Sequence, residues 1–364
     1  MSRPPSAAPT APSRIDPAEL ARKSLDGVLL SRAEAAAVLR WPEEDFPALL
    51  AAAYNVRRAS FGRRVKLNYL ANIQSGVCPE DCGYCSQSKV SDAPIEKYRL
   101  LPGESVLEAA ERAVAAKAAR LCLVASGRGP SDGDVRAVAA AVEDVKRRFP
   151  GLEVCCCLGL LKDGQAGALK EAGVDAYNHN LNTSERHYKE ICGTHTHADR
   201  VDTVKRAQAE GLSSCSGALF GMGETDEDVL DVAYRLRELD ADSIPVNFLI
   251  PIRGTPLAEK DELTPVHCLR ILCLFRLLNP RAELRIAGGR EVHLRGLQPL
   301  GLLVANSIFV GDYLTTEGQP ASADVEMIRD LGFEILGETP GGPADRPRAA
   351  DRVKLVSRRK TSRA

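Results

Sequence analysis

The chain has 364 residues, 44% of them hydrophobic and 27% charged, with a formal net charge of −1. That balance predicts a soluble globular protein with chain enough for a sizeable core, and it excludes a general electrostatic attraction for nucleic acid or an anionic membrane. No apolar run approaches the roughly 18 residues that a spanning helix needs, and eleven cysteines without a secretion leader point to reduced thiols in a cytoplasmic protein rather than a disulfide framework.

Taken in chain order, residues 1–15 are rich in Pro, Ala and Ser and predict a disordered tail, because so little apolar surface cannot offset the entropy of ordering. Residues 16–60, with "SRAEAAAVLRWPEEDFPALLAAAYNVRRA", predict a helical extension. From 61 to 338 short apolar or β-branched runs alternate with amphipathic stretches. Strands are expected at 67–74, 121–126, 152–158, 176–180, 213–219, 243–249, 283–288 and 307–311. Helices are expected over "ESVLEAAERAVAAKAA", "SDGDVRAVAAAVEDVKRRF", "DEDVLDVAYRLREL" and "PVHCLRILCLFRLL". Eight strand–helix units predict an α/β fold, a closed (β/α)8 barrel of TIM type, whose chemistry sits at the C-terminal ends of its strands. An open doubly wound sheet is the weaker reading, since no Gly-x-Gly-x-x-Gly turn follows the first strand. Residues 339–364, punctuated by Pro and Gly and then basic, read as a disordered, solvated tail.

The first strand runs directly into "CPEDCGYCSQS". Cys78, Cys82 and Cys85 supply three thiolates where a structural zinc site prefers four closed ligands. A 4Fe-4S cluster on three thiolates keeps one iron open to a further ligand, and Tyr84 offers a flat aromatic surface beside it. Cys122, Cys155 and Cys215 lie on the second, third and fifth expected strands, which a barrel would bring together. Alternation puts Cys155 and Cys157 on one face and Cys156 on the other. On spacing alone, a ligand set and three buried hydrophobes are equally good readings of this second group. Cys192, Cys268 and Cys273 are assigned to packing or chance.

In "YNHNLNTS" Asn178 and Asn180 share a face of the fourth strand. Two amides that both donate and accept suit a urea-like group, although backbone hydrogen bonding would account for them equally well. His179, on the other face, reads as a satisfied core histidine. His195 and His197 carry no assignment, and no Ser/His/Asp set stands out, which fits chemistry carried by cofactors rather than by a catalytic side chain.

The cysteine triplet marks a resemblance to the radical S-adenosylmethionine superfamily. The segments "LCLVASGRGPS", "LEVCCCLGLL", "YNHNLNTS", "CSGALFGMGET", "DSIPVNFLIPIRGTPL", "LRIAGGRE" and "QPLGLLVANSIFVGDYLTT" narrow it to the biotin synthase family, over about residues 60–335. The resemblance implies radical insertion of sulfur into dethiobiotin. Cys78, Cys82 and Cys85 would hold a 4Fe-4S cluster whose open iron binds S-adenosylmethionine, the radical source. A 2Fe-2S cluster on Cys122, Cys155, Cys215 and Arg285 would donate the sulfur. Physical chemistry alone gives Arg285 a salt bridge or an anion, because a guanidinium is a donor fork and not an ordinary metal ligand.

The resemblance further implies that Asn180 and Asn247 contact the substrate with Asn178 beside them, and that Tyr84, Asn182, Arg200 and Glu224 contact S-adenosylmethionine. Asn182 stands where other members carry aspartate, and a neutral amide weakens a charge-assisted bond to the ribose. Implied partners are an electron donor such as flavodoxin or ferredoxin, the iron-sulfur assembly machinery and a second copy in a homodimer. A related barrel enzyme for carbon rearrangement or maturase work would keep the first triplet but need not keep the second set. A non-enzymatic iron-sulfur or zinc module would bind metal without cleaving the cofactor.

Overall fold

Eight parallel strand runs close on themselves in the computed structural model, which describes residues 15–76 and 78–338. They are β1 (Arg64–Gln74), β2 (Arg120–Ala125), β3 (Glu153–Cys157), β4 (Ala176–Asn178), β5 (Ser213–Cys215) continued by β6 (Ala218–Phe220), β7 (Ser243–Phe248), β8 (Glu283–Ile286) and β9 (Ser307–Val310). Successive runs pair in parallel, and β1 pairs with both β2 and β9, which closes the cylinder. Closure removes the open edges at which a flat sheet would recruit another chain. The fold is therefore the (β/α)8 barrel expected from the sequence. Both expected tails lie essentially outside the described residues, which begin at Ile15 and end at Glu338.

Alternation along the strands sorts the side chains. Leu121, Leu123, Val154 and Cys156 are fully buried in the main core between strands and helices, whereas Cys122, Cys155 and Cys215 belong to a separate cluster inside the barrel. Period-two geometry makes the two sets exclusive.

Two details differ from the expected strands. The run expected at 213–219 is two short pieces, broken at Ser216–Gly217. There the chain pinches onto β7: a Cβ on Gly217 would lie 1.9 Å from the Pro245 carbonyl oxygen, and Pro245 has no N–H for the ladder. In addition, β10 (Glu334–Ile335) pairs with Arg64 and Val65 at the start of β1. Two residues carry no periodicity that a sequence reading could detect.

Among the described residues, three helices precede the barrel. In α1 (Pro17–Leu25) Asp16 caps the Ala18 N–H and Pro17 occupies the first turn. A reciprocal Ser31–Glu34 capping box opens α2 (Arg32–Leu39), and α3 (Phe46–Phe61) ends on Gly62 at φ +58°. Such caps satisfy the orphan amides at helix starts. Leu49, Ala53 and Val56 form the fully buried stripe of α3, which lies against the helices Pro265–Leu278 and Gln298–Val304. None of the helices among the described residues is long and apolar enough to cross a membrane.

One buried arginine ties this side of the barrel together. Arg276 donates to the carbonyls of Asn279, Pro280, Ala282 and Val304 and to Asn306 Oδ1, at 2.7–3.3 Å. With no carboxylate beside it, burial pushes the guanidinium down to about 9. Arg276→Met should leave several of these acceptors unsatisfied and cost about 3 kcal/mol. A shift in the urea unfolding midpoint at constant slope measures this, and a loss below about 1 kcal/mol would mean that the carbonyls find other donors.

Candidate active site in the barrel mouth

A cavity of about 290 Å3 opens at the C-terminal ends of the strands, where a (β/α)8 barrel places its chemistry. Cys122 and Arg285 lie toward its floor, Tyr84 and Cys85 on one wall, and Asn178, Asn180 and Asn247 along the strand ends.

The floor is set by strand register. Cys122 pairs directly with Cys155, Asn178 with Cys215, and Pro245 with Arg285. The small side chains of Ala176 and Ala287 pack among the three sulfurs and leave room around them. Cys155 shares hydrogen bonds with both Cys122 and Cys215; this, with Arg285 and Arg120 nearby, holds Cys122 and Cys215 below the usual thiol value and pushes Cys155 above it. Asn178 Nδ2 donates to Cys215 Sγ at 3.2 Å. The structure thus gathers the second set of thiols into one buried cluster.

Arg285 is held from below. Its Nε donates to Ser307 Oγ at 3.2 Å and its Nη2 to Ser243 Oγ at 3.0 Å and Glu283 at 2.5 Å, while Nη1 stands 3.7 Å from Cys215 Sγ. The guanidinium also stacks 4.9 Å over the Phe309 ring. Burial alone would raise the Glu283 pKa, but Arg285, Arg120 and Lys66 hold it well below the carboxylate range. Among the described residues, Lys66, Arg120 and Arg285 pair with the carboxylates of Glu153 and Glu283. One positive charge is left uncompensated beneath the thiols, and it favours anionic sulfur in a medium where charge is weakly screened. Glu283 escaped the sequence reading because nothing local marks it.

The first triad sits in the loop after β1. Backbone N–H groups of Glu80 and Gly127 lie near the Cys78 sulfur and favour its thiolate, and those of Gln87 and Ser88 do the same at Cys85. Amides aimed at sulfur serve a metal-bound thiolate better than a thiol. Without metal, burial raises Cys78 and pushes Cys85 up to about 11, and Cys82 is raised by its hydrogen bond to Cys192 and by burial.

The remaining residues singled out in the sequence surround this loop. Tyr84 OH accepts from Asn182 Nδ2 at 2.6 Å, and Asn182 adopts φ +70°, a region asparagine tolerates better than most residues. Arg200 is buried against the Tyr188 ring, donates to Tyr188 OH and gives Nη1 to the Asn180 carbonyl at 2.8 Å. Glu224 turns away from the cavity: its carboxylate accepts from Gly221 and Met222 N–H at 2.7 and 2.8 Å, tying the glycine-rich turn to itself. Asn180 Oδ1 accepts from Asn178 Nδ2 and Gly217 N–H, both at 3.1 Å. Asn247 is fixed by the Ala218 carbonyl and the Gly288 N–H at 3.1 and 3.0 Å.

One reading from the sequence needs correction. His179 is buried, but its Nε2 has no hydrogen-bond partner, so it is not a satisfied core histidine; burial pushes its pKa well below the usual value and keeps it neutral. Cys192 is buried in the packing around this loop, as expected, with its sulfur 3.7 Å from that of Cys82. His195, left without a role, contacts Cys192 and Glu80. The Cys-x-x-His spacing of 192 and 195 was the available signal. Cys268 and Cys273 are fully buried on their helix, as packing requires.

Both thiol groups fit iron-sulfur clusters, the first through its sulfur-directed amides and the second through its converging thiols and small neighbours. Comparison with known proteins identifies the family. Residues 72–236 match the Radical SAM superfamily model and residues 245–334 the Biotin and Thiamin Synthesis associated domain. Biotin synthase of Streptomyces avermitilis is 60% identical over 87% of this chain and 82% of its own length. That of Geobacillus thermodenitrificans is 57% identical, over 87% and 95%. Among solved structures, methylornithine synthase superposes with a TM-score of 0.76 at 21% identity, over 87% of this chain and 97% of its own. The FeFe-hydrogenase maturase of Carboxydothermus hydrogenoformans gives 0.75 at 19%, over 88% and 79%. These two share the fold, and their different activities show that the barrel alone does not select a reaction. The curated relatives go further: the chain belongs to the biotin synthase family of radical S-adenosylmethionine enzymes.

Proposed function

We propose that this protein converts dethiobiotin to biotin, with a 4Fe-4S cluster on Cys78, Cys82 and Cys85 and a 2Fe-2S cluster on Cys122, Cys155, Cys215 and Arg285. One observation carries the reading: the second thiol pocket, with Arg285, lies directly beneath an amide-lined cavity whose wall includes Cys85. When bound, the cofactors supply a deoxyadenosyl radical, by reductive cleavage of S-adenosylmethionine, and a sulfide for the substrate carbons. The chain's own residues do the positioning.

Asn180 Oδ1 is occupied by Asn178 and Gly217, so its Nδ2 is left to donate to a ureido carbonyl. Asn247 Oδ1 takes one bond from Gly288 and retains a lone pair for a ureido N–H. Asn178 then links the substrate amides to Cys215. Tyr84 orients Asn182, whose Oδ1 remains for a ribose hydroxyl, and Arg200 keeps Nη2 for the carboxylate of S-adenosylmethionine. Glu224 acts by shaping the turn that flanks the adenine. The same reading includes a cytoplasmic homodimer supplied by flavodoxin or ferredoxin and by the iron-sulfur assembly machinery.

Anaerobic, reconstituted, reduced protein incubated with S-adenosylmethionine and dethiobiotin should yield biotin and deoxyadenosine. Deoxyadenosine without biotin would indicate another radical reaction. Neither product would indicate a metal-binding module.

A further inference from the structure

The loop that carries Cys82 is stitched to the loop after the helix Glu185–Ile191. Gly83 N–H donates to the Ile191 carbonyl at 2.9 Å, and Asp81 Oδ1 accepts from the Gly193 and Thr194 N–H groups at 2.9 and 3.1 Å. Cys82, Cys192 and His195 are thereby fixed relative to one another, all buried, with one ligand atom from each within 4.8 Å of the others. Cys82 Sγ and Cys192 Sγ are 3.7 Å apart, and Cys192 Sγ and His195 Nδ1 are 3.3 Å apart. A tetrahedral zinc ion, with Zn–S near 2.3 Å and Zn–N near 2.0 Å, requires ligand separations of about 3.8 and 3.5 Å. The two edges that meet at Cys192 therefore stand close to those of a zinc tetrahedron, and the third is within 4.8 Å.

The surroundings suit a cation as well. Tyr188 OH lies 2.8 Å from His195 Nε2 and can take that proton, which directs Nδ1 to the metal in the manner of an outer-sphere partner. Glu80 Oε2 lies 2.5 Å from Nδ1, a hydrogen bond that the metal would displace, and the fourth position is left to a solvent ligand. Two sulfurs and an imidazole select a thiophilic ion over magnesium or calcium.

We propose that the cluster-free chain binds one zinc-type cation between Cys82, Cys192 and His195, and that this ion and a cluster on Cys82 exclude each other. Binding of the cation is independent of the proposed reaction; the exclusion rests on the reading that Cys82 holds a cluster. Binding releases to solvent the protons these ligands carry. Until it is removed, the ion then blocks cluster assembly.

The test uses the full-length, cluster-free, reduced chain with cobalt(II) as the probe, displaced afterwards by zinc. One equivalent should give thiolate-to-cobalt charge transfer and tetrahedral ligand-field bands. Cys192→Ala should weaken binding at least about tenfold, while Cys85→Ala and Cys155→Ser leave it unchanged. Binding that survives Cys192→Ala, or is lost in Cys85→Ala or Cys155→Ser, would place the ion on one of the cysteine triads and overturn the proposal. Zinc-edge absorption of the wild-type chain should report two sulfur scatterers, and three would overturn it without any variant. Prebound zinc should slow iron-sulfur reconstitution in the wild type and not in Cys192→Ala. Equal slowing in both would reject the exclusion while leaving the cation site intact.

Discussion

Cys82→Ala is expected to reduce deoxyadenosine formation from S-adenosylmethionine to the level seen without protein, and biotin formation with it. Cys82 is the most buried of the first three thiols, and its loop is anchored to the Ile191 carbonyl and the Asp81 contacts. Two remaining thiolates cannot hold a cluster that needs three. Iron and sulfide analysis with a visible spectrum, beside a deoxyadenosine assay, checks this. Deoxyadenosine at the wild-type rate would remove the loop after β1 from radical generation. The fold should survive, because the loop lies outside the main core cluster.

Cys155→Ala separates the two halves of the proposed reaction. Cys155 is fully buried between Cys122 and Cys215, so its loss removes the central sulfur of the floor. The first triad lies in another loop with its own amides. Deoxyadenosine formation should stay within about tenfold of wild type, a change of roughly 1.4 kcal/mol in the barrier. Biotin should fall below detection. Simultaneous assay of both products decides the matter: biotin at the wild-type level would remove the second thiol pocket from sulfur donation.

The barrel was legible because its signals are local. β-Branched runs alternating with amphipathic stretches placed the strands, and the helix Pro265–Leu278 has the same limits in sequence and structure. Alternation set Cys155 and Cys156 on opposite faces, and closure of the barrel turned Cys155 inward and Cys156 into the outer core. The break at Ser216–Gly217 was not legible, because it depends on the Pro245 carbonyl, which belongs to another strand.

The candidate site divides along the same line. Cys78, Cys82 and Cys85 announce themselves by spacing, and the asparagines of the fourth strand by their shared face. Arg285 acquired a ligand role only through family resemblance, since its chemistry alone argued for an ion pair. The structure does give it one, with Glu283.

By itself, then, the sequence determined the barrel, which strand residues share a face and the thiol loop after β1, because periodicity and short spacing are properties of neighbouring residues. Only the tertiary structure decided that Cys192 lies against Cys82, 110 positions away, that Glu283 gathers three cations, and that Glu224 turns back on its own loop. Closing a cylinder joins segments whose separation along the chain carries no distance information, and contacts of that kind exist only once the strands have met.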